Sequence, residues 1–466
     1  MGSSADVERR RASAVSATEP AEARAGPERR FWWQATPVAQ ATLLVQVYVV
    51  TLFVFPTDLV YRPIGAQAFV AGLVSLLLFL TWVTATLIAG HNPLKVHHPT
   101  RVALLLWILA SVVSWGAAFK RGDLDPTQRL AADRSLFFLA GSTGIILVTA
   151  EGLSTMDAVW RVVRAVAVAG AFCGGVGVLQ YWTPIDVTSF IRQYMPIFTI
   201  NSDYTTMTGR ASLERVTGTT LHPIELGVVC GMLLPIVLAW AIHDDHWRRG
   251  WRWLCVALVA MGIPISVSRS ALVAVGASMA IFVVLLPVRQ RLVALALAPL
   301  PVIAVFMVTP GYLRTLGQFI GMGATDPSVT ARTQDYPLAE SLVRQHPWFG
   351  RGGGTYLPSN MLDIFDNQLL TSAVELGLFG LAALIILLVT GVVTPLVARS
   401  RSRDPGVRLL AAALAGSATA AAASTMTFDE FGFPTAQGLY CVVLGLGGAL
   451  YVLTQQERTT QGPTVS

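Results

Sequence analysis

The sequence predicts an all-α fold, a polytopic transmembrane helical bundle of about twelve spans with two long extracytoplasmic loops. Hydrophobic residues make up 53% of the chain and charged residues only 13%, against roughly 25% charged residues in a soluble domain. Apolar stretches recur along the chain, and basic residues collect in alternate short loops. These features exclude a disordered chain, a coiled coil, a disulfide-stapled secreted domain and an ordinary soluble enzyme.

The apolar stretches give the order of the spans, because each is close to the length of about 20 residues that crosses hydrocarbon. They cover residues 37–55, 66–89, 102–118, 135–150, 162–181, 221–242, 252–267, 270–287, 291–309, 367–394, 407–426 and 434–453. Only Ser268 and Arg269 separate the seventh stretch from the eighth. We therefore expect either a tight turn or a tilted or broken helix there.

The remaining segments divide the chain into tails, loops and a membrane domain. Residues 1–34 are polar and predict a disordered cytoplasmic tail, residues 35–454 are the predicted transmembrane domain, and residues 455–466 are a second cytoplasmic tail. The long segments 182–220 and 310–366 fall outside and contain Trp, Tyr, Phe and Gly rather than tracts of Ser, Glu and Lys. Long loops of this kind are usually functional, so we expect both to be folded.

Loop charges predict the orientation. With the N-terminus inside, the inside loops hold Lys95, Arg101, Arg161, Arg164, Arg248, Arg249, Arg252, Arg289, Arg291, Arg399, Arg401, Arg403 and Arg408. The outside loops 56–65 and 427–433 hold only Arg62, whereas the outside loop 119–134 is basic and disagrees. The sequence thus predicts a multi-pass protein of the cytoplasmic (inner) membrane with both termini cytoplasmic. Its net charge of +6 reflects these loops and does not indicate a nucleic-acid partner.

The segment 210–227, RASLERVTGTTLHPIELG, opens the sixth stretch from the outer side. Pro223 suits a first helical turn, where free backbone N–H groups and the positive helix end form an anion site. Arg215 adds a fixed charge beside it, and the other polar side chains are Thr219, Thr220, His222 and Glu225. The alternative is an interfacial arginine whose charge reaches the lipid headgroups.

Arg269 lies between two apolar runs. An ionisable group at the membrane costs a few kcal/mol, so it is a functional hypothesis by default. Small neighbours such as Ser268 and Ser270 would let a ligand approach the guanidinium. The alternative is a loop charge that separates two spans.

The loop 310–366 holds a glycine-rich motif, HPWFGRGGGTY, at 346–356. Glycines permit φ > 0 and close backbone approach, but no GK[ST] follows, so the motif is not a P-loop. Asp366 lies where a helix N-cap is expected, and Glu375, about 13 Å further along the helix, is hydrogen-bonded structure or part of a polar cavity. Further candidates in this segment are Arg332, His346, Arg351 and Asn367.

Two acidic or histidine-rich patterns are explained by loop polarity. Asp123 and Asp125 resemble a metal-binding DxD, and residues 243–246 read His-Asp-Asp-His, but both lie in short loops. No GxSxG, HExxH or Walker motif is present. We therefore expect no metal and no cofactor.

Four segments together resemble the O-antigen ligase/O-antigen polymerase family of polytopic membrane glycosyltransferases. They are RVTGTTLHPIELG (215–227), SVSRSAL (266–272), HPWFGRGGGTY (346–356) and DNQLLTSAVELGLFG (366–380). The resemblance covers roughly 205–450, including the segment FDEFGFP at 428–434. It implies a GT-C-like, metal-independent enzyme that moves a glycan from a polyprenyl diphosphate carrier to a hydroxyl of an acceptor glycan or glycolipid. The reaction would take place at the outer face of the cytoplasmic membrane, in cell-surface polysaccharide assembly.

The resemblance also implies roles for particular residues. By motif position, Arg215 and Arg269 are similar to the two arginines linked to the lipid diphosphate in lipopolysaccharide ligases, and Thr219, Thr220 and His222 would complete that site. The family's acceptor-linked histidine is replaced by Asp366, and its HPN reads His222-Pro223-Ile224-Glu225. These departures point to a different acceptor or a polymerase-like reaction. The acceptor hydroxyl needs a base, for which Asp366 is the first candidate and Glu225 the second.

A non-enzymatic flippase or exporter of lipid-linked glycans is the alternative function. A flippase needs charges along the membrane midplane to draw the headgroup through. Here the main charges cluster on the outer side, and Glu375 is the chief mid-span charge. The pattern therefore favours the transferase. An inert scaffold would leave the two long aromatic loops unexplained.

Overall fold

The computed structural model describes residues 37–61, 63, 68–88, 91–92, 96–183, 185–201, 208–210, 213–297, 327–358 and 364–460. The predicted tail 1–34 and residues 461–466 lie outside this range. The described part is a bundle of α-helices with two small two-stranded sheets.

The helices are α1 (Pro37–Val54), α2 (Val70–Leu87), α3 (Pro99–Arg121), α4 (Pro126–Gly152), α5 (Met156–Trp182), α6 (Val187–Gln193), α7 (Pro223–His243), α8 (Arg249–Ile265), α9 (Arg269–Leu285), α10 (Val288–Leu297), α11 (Pro327–Gln345), α12 (Gln368–Arg401), α13 (Pro405–Ser424) and α14 (Pro434–Thr460). The strands are β1 (Leu59–Val60), β2 (Thr199–Ile200), β3 (Thr208–Arg210) and β4 (Leu213–Arg215); β1 pairs with β2 and β3 with β4, both antiparallel.

Among the described residues, 9 helices are long and apolar enough to cross a membrane: α1 to α5, α7, α12, α13 and α14. Helices α8 and α9 are shorter, at 17 residues each, and pack against α7. The predicted stretch 291–309 is described only as far as residue 297, within α10. The predicted all-α polytopic membrane fold is confirmed.

Two helices extend beyond their apolar stretches, and at the start of α4 a capping residue explains the extension. Asp125 accepts a hydrogen bond from Gln128 N at 2.9 Å, and the Gln128 side chain accepts one from Asp125 N at 3.2 Å, so α4 begins with a capping box. Such boxes satisfy the free N–H groups of a helix start. At the other end of the chain, α14 continues to Thr460, beyond the predicted domain limit at 454.

The bundle has a closed centre and a lipid-facing periphery. In the most apolar windows of α7 and α14, 78% and 83% of residues are buried, against 17% in α2 and 22% in α3. Small residues allow close helix contacts at the centre: a Cβ added to Gly416 of α13 would lie 2.7 Å from Ser278 O of α9. The Ala and Gly residues of these helices therefore allow the central helices to pack densely against one another.

The connections at one end of the bundle, here called the site end, are bonded to one another. Thr219 Oγ, just before α7, donates to Phe53 O near the end of α1 at 2.7 Å. Gln368 N, at the start of α12, donates to Thr425 O, just after α13, at 2.9 Å. The end of the loop 182–220 and the helix start that follows the loop 310–366 thus lie at the same end of the bundle.

The opposite end, here called the far end, holds buried ion pairs. Glu151 at the end of α4 is bonded to Arg101 and to Trp82 Nε1, the latter at 2.9 Å. Asp244, just after α7, accepts from Arg164 Nη2 of α5 at 2.7 Å. These pairs tie the helix ends together, as expected for charges that lack water on one side.

Candidate functional site

Residues 425–433, here called the corner, join α13 to α14 at the site end and touch the starts of two other helices. Ser270, in the first turn of α9, donates from its Oγ to Thr427 O at 3.0 Å. Gln368, the first residue of α12, accepts from Phe431 N through its Oε1 at 2.6 Å. The corner therefore holds α9 and α12 side by side.

The start of α7 meets the same corner. The His222 ring lies 6.0 Å from the Phe433 ring, centroid to centroid. Glu225 Oε1 accepts from Thr435 N at 2.7 Å and from Ala436 N at 3.2 Å, in the first turn of α14. The N-termini of α7, α9, α12 and α14 thus converge around the corner, and helix N-termini favour anions.

Glu225 is fully buried and its carboxylate is held by backbone groups. Besides the two amides of α14, Leu221 N donates to its Oε2 at 2.8 Å. Glu225 therefore caps its own helix and the neighbouring one at once. This arrangement favours a structural role over the role of acceptor base for which the sequence made it the second candidate.

Arg215 is 8% exposed, lies at the end of β4, and donates from its Nε to Ser266 O at 3.1 Å. Ser266 directly follows α8 in the turn that leads to Arg269, the first residue of α9. The structure therefore brings the segments of the two candidate arginines together at the site end.

The turn between α8 and α9 is strained at Val267, whose φ is 46°. A β-branched residue rarely adopts this left-handed conformation, which costs about 1–3 kcal/mol. The turn directs Ser266 O to Arg215, while Ser268 Oγ accepts from Ala271 N at 3.4 Å and caps α9. The strain therefore occurs where the anion site is expected.

His222 is the N-cap of α7, and its Nδ1 accepts from Ile224 N at 3.2 Å. Burial, together with the positive charge of Arg215, lowers the pKa of His222 to about 4. The imidazole is therefore neutral at pH 7, with its proton on Nε2. It can orient a phosphate oxygen as a hydrogen-bond donor but adds no charge.

The two threonines predicted as diphosphate ligands are already bonded to the backbone. Thr219 Oγ donates to Phe53 O at 2.7 Å, and Thr220 Oγ lies 2.7 Å from Thr217 O. Both residues are nearly fully buried. Direct ligation of a diphosphate would require these bonds to break, so their geometry favours shaping of the loop before α7.

Asn367, rather than Asp366, caps α12. Its Oδ1 accepts from Leu369 N at 2.9 Å and from Leu370 N at 3.3 Å. Asp366 precedes the cap and is exposed. The capping explanation for Asp366 is thereby removed, and its carboxylate lies at the surface of the site end.

Asp429 of the corner is an acid that the sequence reasoning did not single out. Burial raises the pKa of Asp429 to about 7; a hydrogen bond from Thr371 opposes this, and the negative charge of Asp366 adds to it. The neighbouring Glu430 is fully buried and accepts from Ser424 Oγ at 2.9 Å. The sequence feature that could have identified these residues is a pair of adjacent acids in a short connection between two apolar helices.

The glycine-rich motif fills a break in α12. The helix is interrupted at Gly377, whose φ is 70°. Two carbonyls freed near the break accept hydrogen bonds from the motif: Arg351 N donates to Val374 O at 3.0 Å, and Gly352 N donates to Glu375 O at 2.8 Å. These two backbone amides of the motif are thus bound within the protein.

Carbonyl groups of the motif also accept hydrogen bonds from the α12 amides that follow the break. Leu378 N donates to Pro347 O at 2.8 Å, and Phe379 N donates to Trp348 O at 3.3 Å. A broken helix in a membrane needs replacement partners of this kind. The motif therefore completes the hydrogen bonding of α12.

Glu375 belongs to the same structure. Its Oε2 accepts from Gly354 N at 2.9 Å and its Oε1 from Tyr356 N at 3.3 Å. A Cβ on Gly350 would lie only 2.2 Å from Glu375 O. Of the two interpretations left open for Glu375, the geometry favours hydrogen-bonded structure.

The remaining loop candidates are placed as follows. Arg332 belongs to α11, and its side chain lies outside the described residues. His346 is half-buried, and burial together with the charges of Arg121 and Arg351 lowers its pKa. Arg351 O accepts from Arg121 Nη2 at 2.9 Å, which ties the motif to α3. Arg332 therefore lies on α11, and His346 and Arg351 lie in the glycine-rich motif. Asn367 instead lies at the start of α12.

Residues 254–385 match the family model described as O-antigen ligase. The matched range runs from α8 to beyond the break in α12, so it contains Arg269, Asp366 and the glycine-rich motif, whereas Arg215 and His222 precede it. No curated protein is significantly similar to the chain. The chain is a multi-pass membrane protein with many apolar helices, and its residues 254–385 are similar to the O-antigen ligase family.

Proposed function

We propose that the protein is a membrane glycosyltransferase that passes a glycan from a polyprenyl diphosphate carrier to an acceptor hydroxyl in cell-surface polysaccharide assembly. The observation that carries this proposal is the convergence of four helix N-termini at the corner, beside the segments of Arg215 and Arg269. The Glu225 carboxyl group caps α7 and α14, so the positive potential for an anionic leaving group would come mainly from the two arginines and from the starts of α9 and α12, which have neutral caps.

The charge on the diphosphate sets the main demand on the site. As the glycosidic bond breaks, the diphosphate leaves with the bonding electron pair and must be neutralised. Arginine stays charged and matches phosphate oxygens with a planar fork of donors. The Ser266 carbonyl holds Arg215 before the carrier arrives, and a preorganised donor of this kind contributes about 3–4 kcal/mol to catalysis. Because arginines supply the charge, we propose that the reaction is metal-independent.

The acceptor side is assigned to the exposed Asp366. Its carboxylate would take the proton from the acceptor hydroxyl while the hydroxyl oxygen attacks the anomeric carbon. Asp429, whose pKa is raised to about 7, is a positioning residue that can share that proton. A single displacement of this kind inverts the anomeric centre.

The charges at the two ends of the bundle support an orientation in the membrane. Arg248 and Arg249 are exposed at the far end, where α1 begins and α14 ends. Basic loops favour the cytoplasm. We therefore propose that the protein lies in the inner membrane with its far end and both chain termini on the cytoplasmic side. The corner would then lie at the outer face.

The flippase alternative loses its chief support. Glu375, the main mid-span charge in the sequence, is bonded to two amides of the glycine-rich motif. It therefore does not offer a carboxylate along a path across the membrane. The carrier diphosphate would instead be held at one face, as transfer requires.

Purified protein in proteoliposomes, given a polyprenyl diphosphate-linked glycan and candidate acceptors, tests the proposal. We expect mass spectrometry to detect the glycosylated acceptor together with free polyprenyl diphosphate, and NMR to show an inverted linkage. Movement of the lipid-linked glycan across the bilayer without a new glycosidic bond would instead support the flippase.

A further inference from the structure

The chain between α5 and β2 reverses the usual distribution of polar and apolar side chains. Phe190 of α6 and Tyr194 directly after it are 60% and 69% exposed, and Ile197 in the following turn is 70% exposed. Arg192 instead lies on the inner side, where its Nη2 donates to Oδ2 of the buried Asp58 at 2.8 Å. A segment surrounded by water normally exposes its charges and buries such apolar side chains. This reversal therefore indicates an apolar environment outside the segment.

Residues 185–200, here called the α6 segment, are held in this orientation at both ends. Asp186 Oδ1 accepts from Thr188 N at 3.0 Å and caps α6. At the other end, Ile200 pairs with Leu59 in the sheet formed by β1 and β2. The outward position of the apolar side chains is thus fixed by bonds to the rest of the fold.

Both ends of the α6 segment lie near the ends of candidate membrane spans. Trp182 is the last residue of α5, and Leu59, which pairs with Ile200, shortly follows the end of α1. Leu179 and Trp182 are exposed on the last turn of α5. Tryptophan and tyrosine are enriched at the level of the lipid headgroups. The α6 segment therefore lies close to the headgroups of the leaflet at the site end, directly after lipid-facing residues of α5.

We propose that the α6 segment is an interfacial anchor that inserts Phe190, Tyr194 and Ile197 among the lipids of the leaflet at the site end. Such segments place their apolar side at the boundary between headgroups and acyl chains. The neighbouring Ser189 and Gln193 are also exposed, and polar side chains of this kind fit that boundary better than the centre of the bilayer.

The anchor recognises acyl chains rather than anionic headgroups. Arg192 is the only basic residue among residues 185–200, and its guanidinium is bonded to Asp58. Thr57 N, next to Asp58, donates to Thr219 O at 3.3 Å. The anchor is thus connected to the loop that precedes α7, although lipid contact does not depend on glycan transfer.

Spin labels on the full chain in phosphatidylcholine proteoliposomes test the surroundings of the anchor. The four native cysteines are buried, so a nitroxide reagent should react mainly with an introduced cysteine, and the unsubstituted protein is the blank. Phe190→Cys and Ile197→Cys are the test variants. Leu80→Cys, on the exposed side of the spanning helix α2, is the lipid control, and Asp123→Cys, in the polar connection between α3 and α4, is the water control.

We expect the labels of both test variants to collide several-fold more with oxygen, relative to a water-soluble nickel chelate, than the label of Asp123→Cys. Their ratios should approach that of Leu80→Cys. The ratio of the water control at both positions would overturn the proposal. Shielding from both reagents would show that protein covers the surface and would overturn it as well. A contrast that appears only in phosphatidylglycerol would contradict the recognition of acyl chains.

A second measurement uses the wild-type protein and does not depend on the folding of a variant. A phosphatidylcholine with a photoactivatable diazirine in its acyl chain labels side chains that touch lipid. We expect mass spectrometry to find a yield on residues 185–200 comparable to that on α2. The triple variant Phe190→Ser, Tyr194→Ser and Ile197→Ser should lose most of this label, whereas Gln193→Ala, the matched control, should keep it. Labelled α2 beside an unlabelled α6 segment in the wild type would overturn the proposal.

Discussion

The glycine-rich motif and the corner lie at the same end of the bundle but use their polar groups differently. In the motif, the amides of Arg351, Gly352 and Gly354 are bonded to α12. At the corner, four helix N-termini meet near Arg215, and Asp366 is exposed. The amides of the motif are bonded to the neighbouring helix, whereas the corner combines capped helix starts with the charged side chains of Arg215 and Asp366.

This difference bears on what a glycine cluster does: it can bind a phosphate, or it can let two backbone segments pack closely. Glycines allow the close approach of another group, and here that group is the backbone of α12: a Cβ on Gly350 would lie 2.2 Å from Glu375 O. We therefore propose that phosphate binds at the corner and not at the glycine-rich motif. We expect changes at the corner to affect transfer, and changes in the motif to affect folding.

Loss of either arginine should have the largest effect. Arg215→Ala and Arg269→Ala are each expected to lower the transfer rate about 100- to 1,000-fold, because each removes a charged donor from the diphosphate. The rate is measured in proteoliposomes with lipid-linked glycan. Arg351→Ala is the matched control from the motif and should lower the rate only a few-fold. Full activity of both corner variants would contradict the division between the regions.

Substitutions where the motif packs against α12 should lower the stability of the protein. Gly377→Ala places a Cβ 2.5 Å from Trp348 O at a φ of 70°, so we expect a loss of about 2–4 kcal/mol, or failure to fold. Thermal unfolding in detergent measures this. Gly276→Ala is the control, because a Cβ there meets nothing within 4 Å. Equal midpoints for the two variants would show that the break in α12 does not depend on the motif.

The boundary between the regions can be sharpened at two adjacent residues. Asp366→Asn should lower turnover about 100-fold with little change in carrier binding or stability, since it removes a base. Asn367→Ala should instead cost about 1 kcal/mol of stability, since it removes a cap. Steady-state kinetics and thermal unfolding give both values. A stability loss in Asp366→Asn with unchanged turnover would make Asp366 structural.

The corner should also show a pH dependence of stability. The raised pKa of Asp429, about 7 against 3.8 for an ordinary aspartate, means that the folded state favours the protonated form. Its contribution is complete below about pH 4 and is lost as the pH rises through 7. We expect the unfolding midpoint to fall over this window in the wild type and to fall less in Asp429→Asn. Identical profiles would exclude Asp429 as the source.

Chelation should have the smallest effect. If the arginines alone neutralise the diphosphate, EDTA leaves the transfer rate unchanged. The rate is compared before and after EDTA and again after Mg²⁺ or Mn²⁺ is added. Inhibition that metal reverses would reopen a role for the acids Asp123 and Asp125.

The sequence predicts the membrane fold well because hydropathy is a local property. It also predicts the separation of α8 and α9 at Ser268 and Arg269, since a charge interrupts two apolar runs. It does not reveal the break at Gly377, because the apolar pattern continues on both sides of that residue and the replacement hydrogen-bond partners come from the distant motif.

Long-range proximity limits the prediction of the site in the same way. Asp429 gains its raised pKa from burial and from Asp366, which is far away along the chain. The double cap by Glu225 depends on α14, which lies far from it in the sequence. Local capping rules identify the start of α12 but do not decide between Asp366 and Asn367, because both residues cap helices well.

The most direct test is a cryo-electron microscopy structure of the protein with bound polyprenyl diphosphate. We expect phosphate oxygens within about 3 Å of donor nitrogens of both Arg215 and Arg269, beside the corner. A diphosphate bound to the amides of the glycine-rich motif, or one that contacts neither arginine, would contradict this assignment.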